Sequence, residues 1–105
     1  MINKHNKGNR TEKIARDIAK QQGYIVEVKN WSRFQPKDFF GIFDMVCLKD
    51  REIKWVQVKS NKNDVSKAKK EIKEWISSNG ILNPPHSCEV WLWLGKTEFE
   101  VSLIN

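Results

Sequence analysis

In the stretch FDMVCLKDREIKWVQVKS, residues 43–60, one acid opens an apolar run and an amide and an ammonium close the next. Asp44 sits at the start of residues 42–48 (IFDMVCL), and residues 52–59 (EIKWVQVK) end in Gln57-Val58-Lys59. Both runs read as strands, and Asp50-Arg51 between them reads as a two-residue turn. With that turn Lys49 faces Glu52, and Asp44 lies directly across from Gln57. Directly opposed residues point to one face with Cβ atoms about 4.5–5.5 Å apart, and Lys59 shares that face by the two-residue alternation of a strand. A turn longer by one residue would put Asp44 opposite Val58 and scatter the three groups. Apolar neighbours on both faces (Ile42, Val46 and Leu48; Phe43, Met45 and Cys47) shield the carboxylate, which is costly without a partner. Two partners are open. One is the Lys59 ammonium, giving an internal ion pair of structural value; the other is a hard divalent cation held by oxygen ligands, with Lys59 beside it.

The elements that must position these groups follow in order along the chain. Residues 9–22 read as a helix: Ile14, Ala15, Ile18 and Ala19 make its apolar stripe, Asn9 with Glu12 fits a capping box, and Gly23 stops it. Glu12 also adjoins the stripe through Ala15 and Ala19, so the helix could carry a second carboxylate towards the sheet. Residues 24–29 (YIVEVK) are a strand, followed by an aromatic and basic loop, NWSRFQPKDFFG, in which Phe39 and Phe40, like the later Phe43, are expected in the core. After the hairpin around Asp50-Arg51, residues 64–78 form a second helix with Val65, Ala68, Ile72, Trp75 and Ile76 on one face. Beyond Pro84-Pro85, residues 88–94 and 97–103 form a hairpin around Gly95-Lys96. With that turn Leu92 faces Phe99 and Val90 faces Val101, which leaves Trp91 and Trp93 beside Glu98 and Glu100 on a half-polar face that is either covered by the second helix through Trp75 or a protein interface. The order α-β-β-β-α-β-β predicts an α/β domain, a single mixed sheet flanked by helices.

Composition bounds the rest. A chain of 105 residues has room for one domain and one core, here residues 1–105 with residues 1–8 as a basic tail. Five tryptophans and 39% hydrophobic residues argue against disorder. No apolar run approaches the roughly 20 residues of a membrane span, and MINKHNKGNR lacks an apolar signal core, so a cytoplasmic protein is expected. Cys47 and Cys88 lie in strand-like segments without metal-ligand spacing and read as buried free thiols. The net charge of +6 is concentrated at the front: residues 1–37 hold nine Lys or Arg against three acids, and the remainder balances. Such a front half suits a polyanion, although a solvated surface with a basic tail accounts for it equally well.

These residues together resemble the PD-(D/E)XK nuclease superfamily, and within it the small archaeal Holliday-junction resolvase-like members. The resemblance is carried by Glu12 in the first helix, GIFDMV (41–46), the strand ending QVK (57–59) and the helix after it. It covers residues 9 to about 78 well and the last two strands loosely. It implies a restriction-endonuclease-like fold and Mg²⁺-dependent hydrolysis of DNA phosphodiesters, with Mn²⁺ able to substitute. Asp44 would be a metal ligand, Gln57 a second, the Val58 carbonyl a third and Glu12 an outer acid; Lys59 would be the catalytic lysine. Gln57 departs from the usual Glu or Asp, as in Mrr-like restriction enzymes, and an amide oxygen brings no negative charge to a cation.

Around this site, Arg10, Lys13, Arg16 and Lys20 on the first helix, Trp31, Arg33, Phe34 and Lys37 on the loop, and Lys62 after the third strand are candidate DNA contacts. The cations would grip phosphates, and Trp31 and Phe34 would stack on bases of branched or single-stranded DNA. The remaining lysines of the second helix read as its solvated face, and His5 and His86 as incidental. The two strands of a junction require two sites, which a homodimer would supply. Beside the endonuclease stands a different class: a DNA-binding module with this fold and little or no catalysis. A sequence-specific restriction enzyme is disfavoured because no second domain for target recognition is present.

Overall fold

A computed structural model describes residues 4–28, 38–79 and 85–104, with the side chains of the first helix from Arg10 onward. The elements are α1 (Lys4–Gln21), β1 (Ile25–Val28), β2 (Met45–Lys49), β3 (Glu52–Lys59), α2 (Val65–Asn79), β4 (His86–Gly95) and β5 (Glu98–Ile104). A single 3₁₀ turn, Lys62–Asp64, precedes α2. The five strands form one mixed sheet in sequence order, with β3 and β4 parallel and every other neighbouring pair antiparallel. The α/β architecture and element order are those expected from the sequence.

α1 packs through Thr11, Ala15 and Ala19, four residues apart and buried, so small side chains let the helix lie close on the sheet. Beneath it are Met45, Cys47, Val56, Val58 and Trp91. Gly23, at φ 94°, ends the helix: Tyr24 N–H donates to Ala19 O at 3.1 Å and Gly23 N–H to Lys20 O at 3.0 Å. This double bond pattern satisfies two terminal carbonyls and needs a left-handed residue at the glycine. Lys49 Nζ donates to Gln22 O at 2.8 Å, a cation placed where the helix dipole favours one.

The opposite face is covered by α2. Ala68 and Ile72 pack with Phe43, Cys88, Val90 and Ile104, flanked by Trp55 and Trp75. Alternation along β3 therefore divides it cleanly: Val56 and Val58 face α1, whereas Trp55 faces α2, and with it Gln57 and Lys59.

Four expectations change. α1 begins at Lys4, so residues 4–8 are helical and not a tail, and Asn9 lies inside the helix, where it cannot be an N-cap. The capping-box account of Glu12 goes with it. β2 is shorter than expected at its start, because residues 39–43 fold into their own loop. Phe40 is 64% exposed at φ 56°, not core, although its ring lies 5.4 Å from both Trp55 and Trp75. The β4–β5 register is shifted by an irregularity between Trp93 and Gly95: Trp91 pairs with Val101, Leu92 with Glu100 and Trp93 with Phe99. One extra residue on a strand turns every later side chain to the other face, so the tryptophans join Phe99 and Val101 and not the glutamates. Trp75 packs against Phe40 and Phe43 on the opposite side.

Among the described residues no helix is long and apolar enough to cross a membrane. Cys47 and Cys88 are buried free thiols, as expected. Burial, assisted by the Glu89 carboxylate, raises both from the ordinary 9.0 to about 11. Folding thus favours the protonated thiol, so its contribution to stability is full below about pH 9 and declines as pH rises towards 11. Denaturant titrations between these limits should show falling stability, and replacing both cysteines by alanine should flatten the slope.

Candidate metal and phosphodiester site

The site begins where β2 leaves the sheet. Its ladder with β3 runs from Lys49 opposite Glu52 to Met45 opposite Val56, the register that a two-residue turn predicts. Asp50 carries the positive φ, 53°, in that turn. Continued one step, the ladder would put Asp44 opposite Gln57, and a second step would put Phe43 opposite Val58. Neither step is made: the ladder ends at Met45, and the Asp44 N–H donates to Val56 O instead of standing opposite Gln57. Phe43 instead pairs with Phe39, its N–H donating to Phe39 O at 3.0 Å and its carbonyl accepting from Phe39 N–H at 2.8 Å. Phe40 and Gly41, both at positive φ, make the intervening reversal. The rings of Phe39 and Phe43 pack on Trp55, at 6.3 and 5.8 Å, and hold this loop on the α2 face.

The departure leaves the Val58 N–H without a strand partner, and the Asp44 side chain takes it. Asp44 Oδ2 accepts from Val58 N at 2.7 Å, while the Asp44 N–H donates to Val56 O at 2.8 Å. Asp44 is 8% exposed and Val58 likewise buried. A short bond to an ionised acceptor is among the stronger hydrogen bonds, and here it locks the carboxylate against the strand that ends in Gln57 and Lys59. In an antiparallel ladder a residue's N–H and C=O point to the same neighbour, so the Val58 carbonyl also faces the gap that β2 has vacated.

Gln57 is 7% exposed, and its Oε1 is a buried acceptor with no donor. Such an atom carries a desolvation cost of about 1–3 kcal/mol. It sits one residue from the Asp44–Val58 bond, and an amide oxygen is a normal ligand for a hard cation. The donor set of Asp44, Gln57 and the Val58 carbonyl is therefore all oxygen, which suits Mg²⁺ or Mn²⁺ and not a thiolate-seeking metal. Among the described residues no three His, Cys, Asp or Glu side chains converge, so a cation here would draw on the amide and the backbone.

The other expected site residues are distributed around this centre. Lys59 is half-buried at the end of β3, on the face of Gln57. Glu12 is half-buried on α1, beside the packed Thr11–Ala15–Ala19 line, and α1 lies on the Val58 face, opposite to Gln57. Lys13, Lys20 and Arg10 are exposed along α1 and Arg16 is half-buried; Lys62 is exposed just after β3. Trp31, Arg33, Phe34 and Lys37 lie outside the described residues. His86 has a structural place, its Nδ1 accepting from Trp55 Nε1 at 3.1 Å.

One buried acid was not singled out from the sequence. Glu89 on β4 is 6% exposed, accepts from Trp91 Nε1 at 2.9 Å and pairs with Lys54 Nζ at 3.4 Å. The signal for it was present, since Glu89 interrupts the apolar run 88–94 as Asp44 interrupts 42–48. Its partners are complete, whereas the Gln57 oxygen lacks one.

The orphaned oxygen makes a measurable difference. Gln57→Leu removes the unsatisfied acceptor and should raise stability by about 1 kcal/mol in chelator. Mn²⁺ should raise the melting temperature of the natural chain, and Gln57→Leu should abolish that increase. Gln57→Glu should be destabilised in chelator, because a second carboxylate then lies buried near Asp44, and should bind Mn²⁺ more tightly in calorimetry. Unchanged affinity would mean that position 57 is not a ligand.

No protein-family model matches this sequence and no curated protein matches it, so what the chain does has to be read from its own residues and their geometry.

Proposed function

We propose that this protein is a divalent-metal-dependent DNA endonuclease of the PD-(D/E)XK type, acting in the cytoplasm on branched or otherwise structured DNA. The observation that carries the reading is the Asp44 carboxylate fixed on Val58 N–H beside the donorless Gln57 oxygen, with Lys59 two residues further along the same strand. A bound Mg²⁺ would polarise the scissile phosphoryl group and lower the pKa of a ligated water.

The chain's own residues supply the remaining parts. Asp44, held by the Val58 N–H, offers its carboxylate in one orientation, so little side-chain ordering remains when a cation or substrate arrives. Gln57 Oε1 and the Val58 carbonyl add neutral oxygen donors and keep the net charge of the site low, which suits the approach of a phosphate anion. Lys59 would orient the attacking water or stabilise charge on the phosphoryl oxygens in the transition state. Burial of Asp44 and Gln57 lowers the local dielectric and strengthens both effects. Arg10, Lys13, Arg16, Lys20 and Lys62 would hold flanking phosphates, and the loop residues Trp31, Arg33, Phe34 and Lys37 are assigned contacts with exposed bases and backbone.

Gln57 also favours a second reading, a DNA-binding module with weak or absent catalysis, because the amide contributes no charge to hold the metal. One panel separates the two: labelled four-way junction, flap, single-stranded and duplex DNA, each with Mg²⁺ and with Mn²⁺. The endonuclease should cut at least one structured substrate. Asp44→Ala and Lys59→Ala should each reduce the rate by about 10²–10³. Full cleavage by either variant would overturn the assignment, and tight DNA binding without cleavage or cation binding would favour the module.

A further inference from the structure

Two helices cannot cover both faces of five strands. α1 lies over β1 and β3 on one face, and α2 over β4 and β5 on the other. On β4 the α1-side residues Glu89 and Trp91 are buried, so the part of that face left open lies along β5. On it Phe99, Val101 and Leu103 alternate along β5, Val101 51% and Leu103 57% exposed. A groove of about 410 Å³ runs from Ile18 of α1 across Trp91 and Phe99 to Val101.

β5 is also an edge strand. It is seven residues long, whereas the other edge, β1, has four. Long apolar edges invite pairing, and sheets commonly block them with charge, proline or a bulge. β5 has no proline; of its two acids, Glu100 is on the α2-side face and Glu98 lines the end of the groove next to the turn.

We propose that β5 pairs antiparallel with β5 of a second copy of this chain, about a twofold axis through Val101. A twofold interface must be self-complementary, and EFEVSLI meets that condition in one register. With Val101 opposite its own copy, Phe99 faces Leu103 of the partner subunit and Glu100 faces Ser102 of the partner subunit. Glu98 then faces Ile104 of the partner subunit, so no acid opposes an acid. Moving the axis to Glu100 sets that residue against itself, and moving it to Phe99 sets Glu98 against Glu100; directly opposed like charges destabilise a strand pair. An axis through Ser102 keeps the charges apart but leaves Glu98 and Phe99 outside the overlap. The Val101 register alone uses the whole strand, and it brings Phe99, Val101 and Leu103 of the two copies together on one face across the axis.

This pairing requires no nuclease activity, so the two stand or fall by different measurements. The full chain should sediment as a dimer at high micromolar concentration and dissociate on dilution. Val101→Glu puts two carboxylates face to face and should weaken self-association by about tenfold or more. Val101→Cys should form a covalent dimer under mild oxidation, because the residue meets its own copy. Leu94→Cys, equally exposed but off the axis, should not; the natural thiols are buried and give little background. A monomer at every concentration would overturn the proposal. So would a dimer that survives Val101→Glu, or Val101→Cys cross-linking no better than Leu94→Cys.

Discussion

The hydrogen bond from Val58 N–H to Asp44 Oδ2 is the constraint on which the site depends. A strand that leaves a sheet strands the backbone groups of its neighbour, and a buried N–H without an acceptor is costly. A buried carboxylate without donors is costlier. Here each problem answers the other. β2 joins the sheet only at Met45, so Val58 has no strand partner there, and Asp44, the residue just before β2, places its carboxylate in that position.

That exchange makes one end of an apolar sheet polar. The loop 39–43 must stay in place for Asp44 to stay in place, and the aromatic contacts of Phe39 and Phe43 with Trp55 provide the anchorage. β3 must stay central, and its pairing with β2 and β4 provides that. Covered on the α2 side, Gln57 cannot turn out to water to satisfy its oxygen. The site is thus rigid, shielded and one donor short, a combination that suits a bound cation more than a finished structural network.

Legibility in the sequence varied with how local the determining feature was. Asp50-Arg51 fixes the β2–β3 register from Lys49 to Met45 because two residues leave one way to reverse the chain, but the ladder stops there, and Asp44 bonds Val56 O and Val58 N–H instead of pairing opposite Gln57. The end of α1 was equally plain, since Gly23 supplies the positive φ that its terminal bonds need. The start of α1 was not: Gly8 and Asn9 look like a boundary, yet the helix continues through both. The β4–β5 register failed at the irregularity near Gly95, where one residue out of step exchanged the faces of Trp91 and Trp93.

The sequence by itself determined which residues could do chemistry, the order of the elements and the β2–β3 register as far as Met45, because periodicity and tight turns are properties of neighbouring residues. Only the tertiary structure decided that the carboxylate binds a backbone N–H on β3. It also put Gln57 on the sheet face opposite to α1, which carries Glu12, and left Gln57 Oε1 without a donor. Those outcomes depend on where β2 leaves the sheet and which helix covers which half of it. Such choices are set by packing between segments distant in sequence, and no local pattern encodes them.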